Sequence, residues 1–236
     1  MRTRFQQGLD DLRQRLLRMG GLAEQAVDRA RQAYVERDLT RCQMVLEGES
    51  LINTAEREID EAAFDLLAMQ QPMAVDLRFI LSVIKINADL ERVGDAAKSI
   101  SDRVRNMEQM ATAELPVDIP RMATLSAEMV RKSLQSFIEA DAEIARTVLT
   151  MDDAVDAMNR AAYKSLTKVM EEQSHIAPQA LNALMISRAL ERVADHATNI
   201  AEDVIFWVKG ADVRHAKSVA KQAAAKAEGK SPTPTV

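Results

Sequence analysis

Apolar residues recur every three or four positions along nearly the whole chain, the spacing that gathers them on one face of an α-helix. The pattern predicts a first helix at about 4–37 and a second at about 40–69. Pro72 marks the boundary before a third, at about 75–111. The stretch from Ala113 to Pro120 holds two prolines, Pro116 and Pro120, and reads as a linker. Three more helices follow at about 121–139, 142–172 and 178–209, with Gly210 as the stop for the last. Gly20 and Gly21 weaken the first helix locally, but the apolar spacing continues through them.

The pattern occurs twice. Leu90-Glu91-Arg92-Val93-Gly94-Asp95-Ala96-Ala97 returns as Leu190-Glu191-Arg192-Val193-Ala194-Asp195-His196-Ala197. Earlier in the chain, Met19, Val27, Gln32, Glu36 and Asp38 return as Met122, Val130, Gln135, Glu139 and Asp141. The spacing between partners drops from 103 to 100, so the first half carries three extra residues around Gln70 to Leu77. The repeating unit is three helices joined by short turns, which makes neighbours antiparallel. The expected fold is therefore all-α: two tandem antiparallel three-helix bundles related by internal duplication. Residues 1–112 form the first, 121–210 the second, and 211–236 a mobile tail rich in Ala and Lys.

Composition agrees with this reading. Apolar residues make up 47% of the 236, aromatics only 3%, with 7 Gly and 6 Pro, which favours helices over sheet. A net charge of −5 argues against a nucleic-acid partner. The single cysteine, Cys42, rules out an internal disulfide and a multi-cysteine zinc cage, and a reducing cytoplasmic setting is the simplest fit. The polar N-terminus lacks a signal-peptide core. The run Phe79 to Ile84 is broken by Lys85, and Val204 to Val208 is too short to span a bilayer.

A fold needs its apolar stripe repeated, but it does not need acidic residues repeated on another face. The third-helix stripe steps through Ile86, Leu90, Val93, Ala97, Ile100 and Val104, within an arc of roughly 80°. Glu91 and Asp95 fall well away from it, four residues apart and so side by side. Glu191 and Asp195 repeat the geometry. On the second helix of each half, Glu49 and Asn53 align with Asp152 and Asp156, on the flank of the stripe. Carboxylates from two adjacent helices then meet along a surface groove, where they repel one another unless a cation sits among them. An all-oxygen set suits Mg²⁺, Ca²⁺, Mn²⁺ or iron. The plainer alternative is a solvated acidic face paired with Arg57, Arg92, Lys98 or Arg192.

Other features carry less. His196 follows Asp195, but its counterpart is Ala96, which favours a surface histidine; His175 and His215 look like loop and helix-end residues. The methionines read as core filler, and Phe206 and Trp207 as packing residues. There is no P-loop, no dinucleotide fingerprint and no nucleophile–base pair. Ferritin-like di-iron sites need a histidine three residues after the acid, where this chain has Gly94 and Ala194. The residues leave three readings open: a metal-bearing adaptor, a metal-dependent enzyme, and a plain helical scaffold.

The motifs Gln71-Pro72-Met73-Ala74-Val75-Asp76-Leu77-Arg78, Asp89 to Asp95, Leu190 to Glu202 and Val208 to His215 resemble the PhoU family of bacterial phosphate-signalling regulators, in the right order and across nearly the whole chain. The resemblance implies two three-helix bundles with surface metal clusters of iron or other ions, manganese, magnesium and zinc among them. The implied ligands are Glu49, Asn53, Glu91 and Asp95 in the first half, and Asp152, Asp156, Glu191 and Asp195 in the second. Asn53 departs from the acidic pattern, and Ala194 replaces the usual glycine. The implied role is non-enzymatic: a cytoplasmic, homodimeric negative regulator of the phosphate-starvation response. It links the ATPase subunit of the high-affinity phosphate ABC transporter to a membrane sensor histidine kinase, and meets the membrane only through those partners.

Overall fold

The computed structural model describes residues 4–70 and 72–213. Gln71 of the proposed motif, His215 and the tail from residue 214 onward lie outside the described residues. Six long helices account for most of the described chain, which has no strand. They are α1 (Arg4–Glu36), α2 (Leu39–Gln70), α3 (Ala74–Asn106), α4 (Ile119–Glu139), α5 (Ala142–Glu172) and α6 (Ala177–Lys209), with a 3-10 turn at Ser174–Ile176 before α6. None of these helices is long and apolar enough to cross a membrane.

The duplication reaches the turns. α1 ends at Arg37 and α4 at Ala140, equivalent positions with left-handed φ of 53° and 51°. The next residue caps the following helix in both halves. The Asp38 carboxylate accepts from the backbone N–H of Thr40 at 2.8 Å, and that of Asp141 from Glu143 at 2.7 Å. Two boundaries differ from the sequence reading. α3 stops at Asn106 rather than near 111, where the chain tightens into turns at Met107. α4 starts at Ile119, because Asp118 accepts from the N–H of Arg121 and Pro120 fits the first helical turn.

Within each half all three helices pack on one another, and the halves join through α1 against α4 and α3 against α6. α2 and α5 contact only helices of their own half and lie on the outside. One apolar core runs through both halves, and all six positions of the α3 stripe and their six counterparts on α6 are buried in it. A smaller cluster around Leu166, Ala183 and Leu184 fills the far end of α5 and α6. Phe79, Phe137 and Trp207, from three helices, stack where the halves meet, and Trp207 is a packing residue as expected. The Arg13 guanidinium lies over all three rings at 5.1–5.7 Å.

Packing between α2 and α3 depends on a small residue. A Cβ added at Gly94 would lie 2.8 Å from Cδ1 of Ile52. The second half has Ala194 and Val155 at the equivalent positions, both buried. The side chain that gains a methyl there faces one that has lost it, so Ala194 is a packing change.

Candidate functional site

The acidic positions fall into two grooves, one between α2 and α3 and one between α5 and α6. In the second groove Asp152 and Asp156 project from α5 and Asp195 from α6. One carboxylate oxygen from each can be chosen so that all three lie within 4.8 Å of one another, a spacing that fits one shared cation. Glu191 lies outside that triplet; burial raises its pKa first, and the charges of Asp156 and Asp152 add to the rise. Asp195 is pushed up to about 6. Loss of water around the carboxylate is the largest cause, although the residue as a whole is exposed; the charges of Glu191, Asp152 and Asp156 follow. The Arg160 guanidinium, 3.1 Å from Asp156, offsets part of this charge from the rim. Three converging carboxylates with a fourth beside them are a donor set for a hard cation.

The first groove is built differently. The Lys98 ammonium donates to Glu49 Oε1 at 2.6 Å, and that hydrogen bond holds its pKa above the ordinary lysine value. Glu91 is half-buried and Asp95 exposed, with Asn53 half-buried on α2. Burial, Asp95, Glu56 and Glu49 together raise the pKa of Glu91. Among the described residues no triplet of carboxylates converges here as in the second half. The four positions named for this half share a groove, but they fit a metal less well than their counterparts.

Glu56 and Asp60 also belong to the first groove, although they are not among the ligands that the resemblance implies. The Glu56 pKa is raised by burial, then by Asp60, with Asp95 adding to it. Asn87 of α3 donates to Asp60 Oδ1 at 3.0 Å and to the Glu56 carbonyl at 2.9 Å, which fixes the register of α2 on α3. Their counterparts are Asn159 and Tyr163, so the repeat gave no signal for them. Asn159 instead accepts from the Ser187 hydroxyl at 2.9 Å.

His196 corrects the sequence reading. It is not a surface histidine: its side chain is only 17% exposed, and Nδ1 meets the buried Asp89 Oδ1 at 2.9 Å across the seam between the halves. An ionised carboxylate only accepts, so Nδ1 carries the proton. Asn199 donates to the same oxygen at 3.2 Å. Further along the seam Lys85 pairs with the buried Asp203 at 3.0 Å, and the Ser82 hydroxyl donates to the Asp203 carbonyl.

A family model for the PhoU domain matches residues 16–104 and again 119–204, the two repeats. The chain belongs to the PhoU family. The phosphate-specific transport system accessory protein PhoU homolog of Pseudomonas aeruginosa is 39% identical over 212 residues, 89% of this chain and 88% of that one. The phosphate-specific transport system accessory protein PhoU of Escherichia coli strain K12 is 32% identical, over 89% of this chain and 88% of its own length. The crystal structure of PhoU from Pseudomonas aeruginosa superposes with a TM-score of 0.86 at 37% identity, covering 88% of this chain and 100% of that one. The phosphate transport system regulatory protein PhoU from Streptococcus pneumoniae gives 0.82 at 28%, covering 89% and 99%. The all-α tandem architecture read from periodicity is thus the PhoU architecture.

Proposed function

We propose that this chain regulates phosphate transport as a non-enzymatic accessory protein that restrains uptake and the phosphate-starvation response when phosphate is ample. Its partners in this reading are the ATPase subunit of the high-affinity phosphate ABC transporter and the sensor histidine kinase of the phosphate two-component system. It works in the cytoplasm as a homodimer and meets the membrane through them. The observation that carries the proposal is similarity to phosphate-specific transport accessory proteins over about nine-tenths of the chain.

The acidic grooves add a metal requirement. Asp152, Asp156 and Asp195, with Glu191 beside them, would hold a hard divalent cation, whose charge relieves the crowding of the carboxylates. Iron, manganese and magnesium suit the oxygen donors better than zinc. In this reading the cation serves as a structural and electrostatic element of a protein-binding surface, and the raised pKa of Asp195 reflects the crowding that the cation relieves.

The test is a phosphate-starvation reporter read in high phosphate in a strain lacking the protein. Output should be high and should fall when the protein is restored. Output that stays low without it would refute the regulatory role while leaving the family assignment intact.

A further inference from the structure

We propose that the two acidic grooves load unequally, with Lys98 as the residue that sets the difference. It is a tethered cation in the first groove, so a divalent ion fills the second groove first and the first only by displacing it. The inference rests on the reading of these grooves as metal sites.

Three observations carry it. First, Lys98 Nζ sits 2.6 Å from Glu49 Oε1, so one ligand position already has a positive partner. The equivalent residue in the second half is Thr198, whose hydroxyl donates to the backbone carbonyl of Asp195 and brings no charge; the second groove has its own cation in Arg160, but that side chain is 69% exposed and meets Asp156 at a longer 3.1 Å, so it is the weaker competitor. Second, Asn53 stands where the second half has Asp156, so the first groove has a neutral amide in place of a carboxylate ligand. Third, the carboxylates of Asp152, Asp156 and Asp195 converge, while no such triplet forms in the first half among the described residues.

A tethered ammonium competes at high effective concentration, because it never leaves the neighbourhood of the carboxylate. An incoming cation must break a short charge-assisted hydrogen bond before it gains Glu49 as a ligand. The Lys98 side chain is 39% exposed and its stem is flexible, so it can swing into water when displaced. The first groove is therefore a site whose occupancy responds to metal concentration, and the second stays filled across that range.

The experiment titrates the full-length, metal-stripped protein with Mn²⁺ and follows free Mn²⁺ by electron paramagnetic resonance. The wild type should show one tight class and one at least about tenfold weaker, the scale on which a single supporting residue shifts metal affinity. The D156N/D195N variant should lose the tight class. Lys98→Thr, which installs the second-half residue, should tighten the weak class by about 10- to 100-fold. Lys98→Met keeps the stem and removes the charge; it should do the same, and it takes over the test if the threonine disturbs helicity by circular dichroism. Two equal classes in the wild type, or a weak class unmoved by both Lys98 variants, would overturn the role of Lys98 and leave the metal reading standing. No Mn²⁺ binding by the wild type would overturn the metal reading, and this inference with it.

Discussion

Asp89 of the first repeat and His196 of the second meet at 2.9 Å across the seam, and the equivalent positions on the other side of the duplication, Ala189 and Ala96, are both buried alanines. At this pair of positions one side of the seam is therefore polar and the other apolar. Removing only one partner leaves a buried group short of a hydrogen bond, which costs about 1–3 kcal/mol. His196→Ala should lower Tm by about 2–4 °C for each kcal/mol lost in a chain of this size. The double change D89A/H196A copies the alanine side and should cost less than the two single changes summed. Thermal melts of all four proteins give the cycle, and strictly additive losses would show that the pair is not coupled.

The Gly94–Ile52 contact makes a second prediction. Gly94→Ala puts its Cβ 2.8 Å from Cδ1 of Ile52, a buried side chain that must shift; overpacking of about 1–3 kcal/mol is offset by the roughly 1 kcal/mol that alanine gains over glycine inside a helix, so the net loss should be about 0–2 kcal/mol. Adding Ile52→Val removes the clashing methyl and recreates the Ala194–Val155 combination of the second repeat, so it should recover most of the loss. Urea midpoints decide the matter; no recovery would mean that the constraint at Gly94 lies elsewhere.

The crowded carboxylates set a pH dependence. Asp195 has a folded pKa of about 6, above its ordinary value, so the folded protein holds a proton there that the unfolded chain has released. Its contribution to stability is fully present below the ordinary aspartate range and is lost as pH rises through about 6. The metal-free wild type should therefore gain stability on going from pH 7 to pH 5, relative to Asp195→Asn. At pH 7 the asparagine variant should melt higher, by about 2–4 °C at most, because water screens so exposed a group to about 1 kcal/mol or less. Mn²⁺ should reverse the order at pH 7 by stabilising only the wild type. Parallel melting curves for the two proteins across that pH range would count against charge crowding at Asp195.

Arg13 offers a spectroscopic test. It lies 5.1 Å from the ring of Trp207, which is the only tryptophan in the chain. Arg13→Gln should cost about 0.5–2 kcal/mol of cation–π energy and shift the tryptophan emission, while Arg13→Lys should fall between the two. Unchanged emission and stability in the glutamine variant would remove any role for the stacked cation.

Helices, the stop at Gly210 and the pointing of acidic pairs were legible because each depends on residues close in sequence. The α3 stripe places Glu91 and Asp95 off the core without reference to any other helix, whereas the caps at Asp38 and Asp141 entered the sequence reading only as matched positions of the repeat. The relations between elements were not legible in that way. His196 looked solvent-facing because its counterpart is an alanine; only the packing of α3 on α6 brings Asp89 to it. Glu56 and Asp60 are visible as an acidic pair on α2, but a search by internal repetition gives no weight to what one repeat has and the other lacks. Lys98 was visible as a possible counter-charge, but that it holds Glu49 follows from the register of α2 on α3.

Two identical chains meeting around a twofold axis must make every contact twice, so a change on one side is a change on both. Joining the repeats in one chain lifts that restriction. Lys85 faces Asp203 where the equivalent residues are Met185 and Arg103, and Asp89 faces His196 where they are alanines. A single gene can thus alter one half of the seam while the other keeps its original packing. A protein that must present different faces to different partners has a use for this freedom, which a symmetric pair of half-length chains would lack.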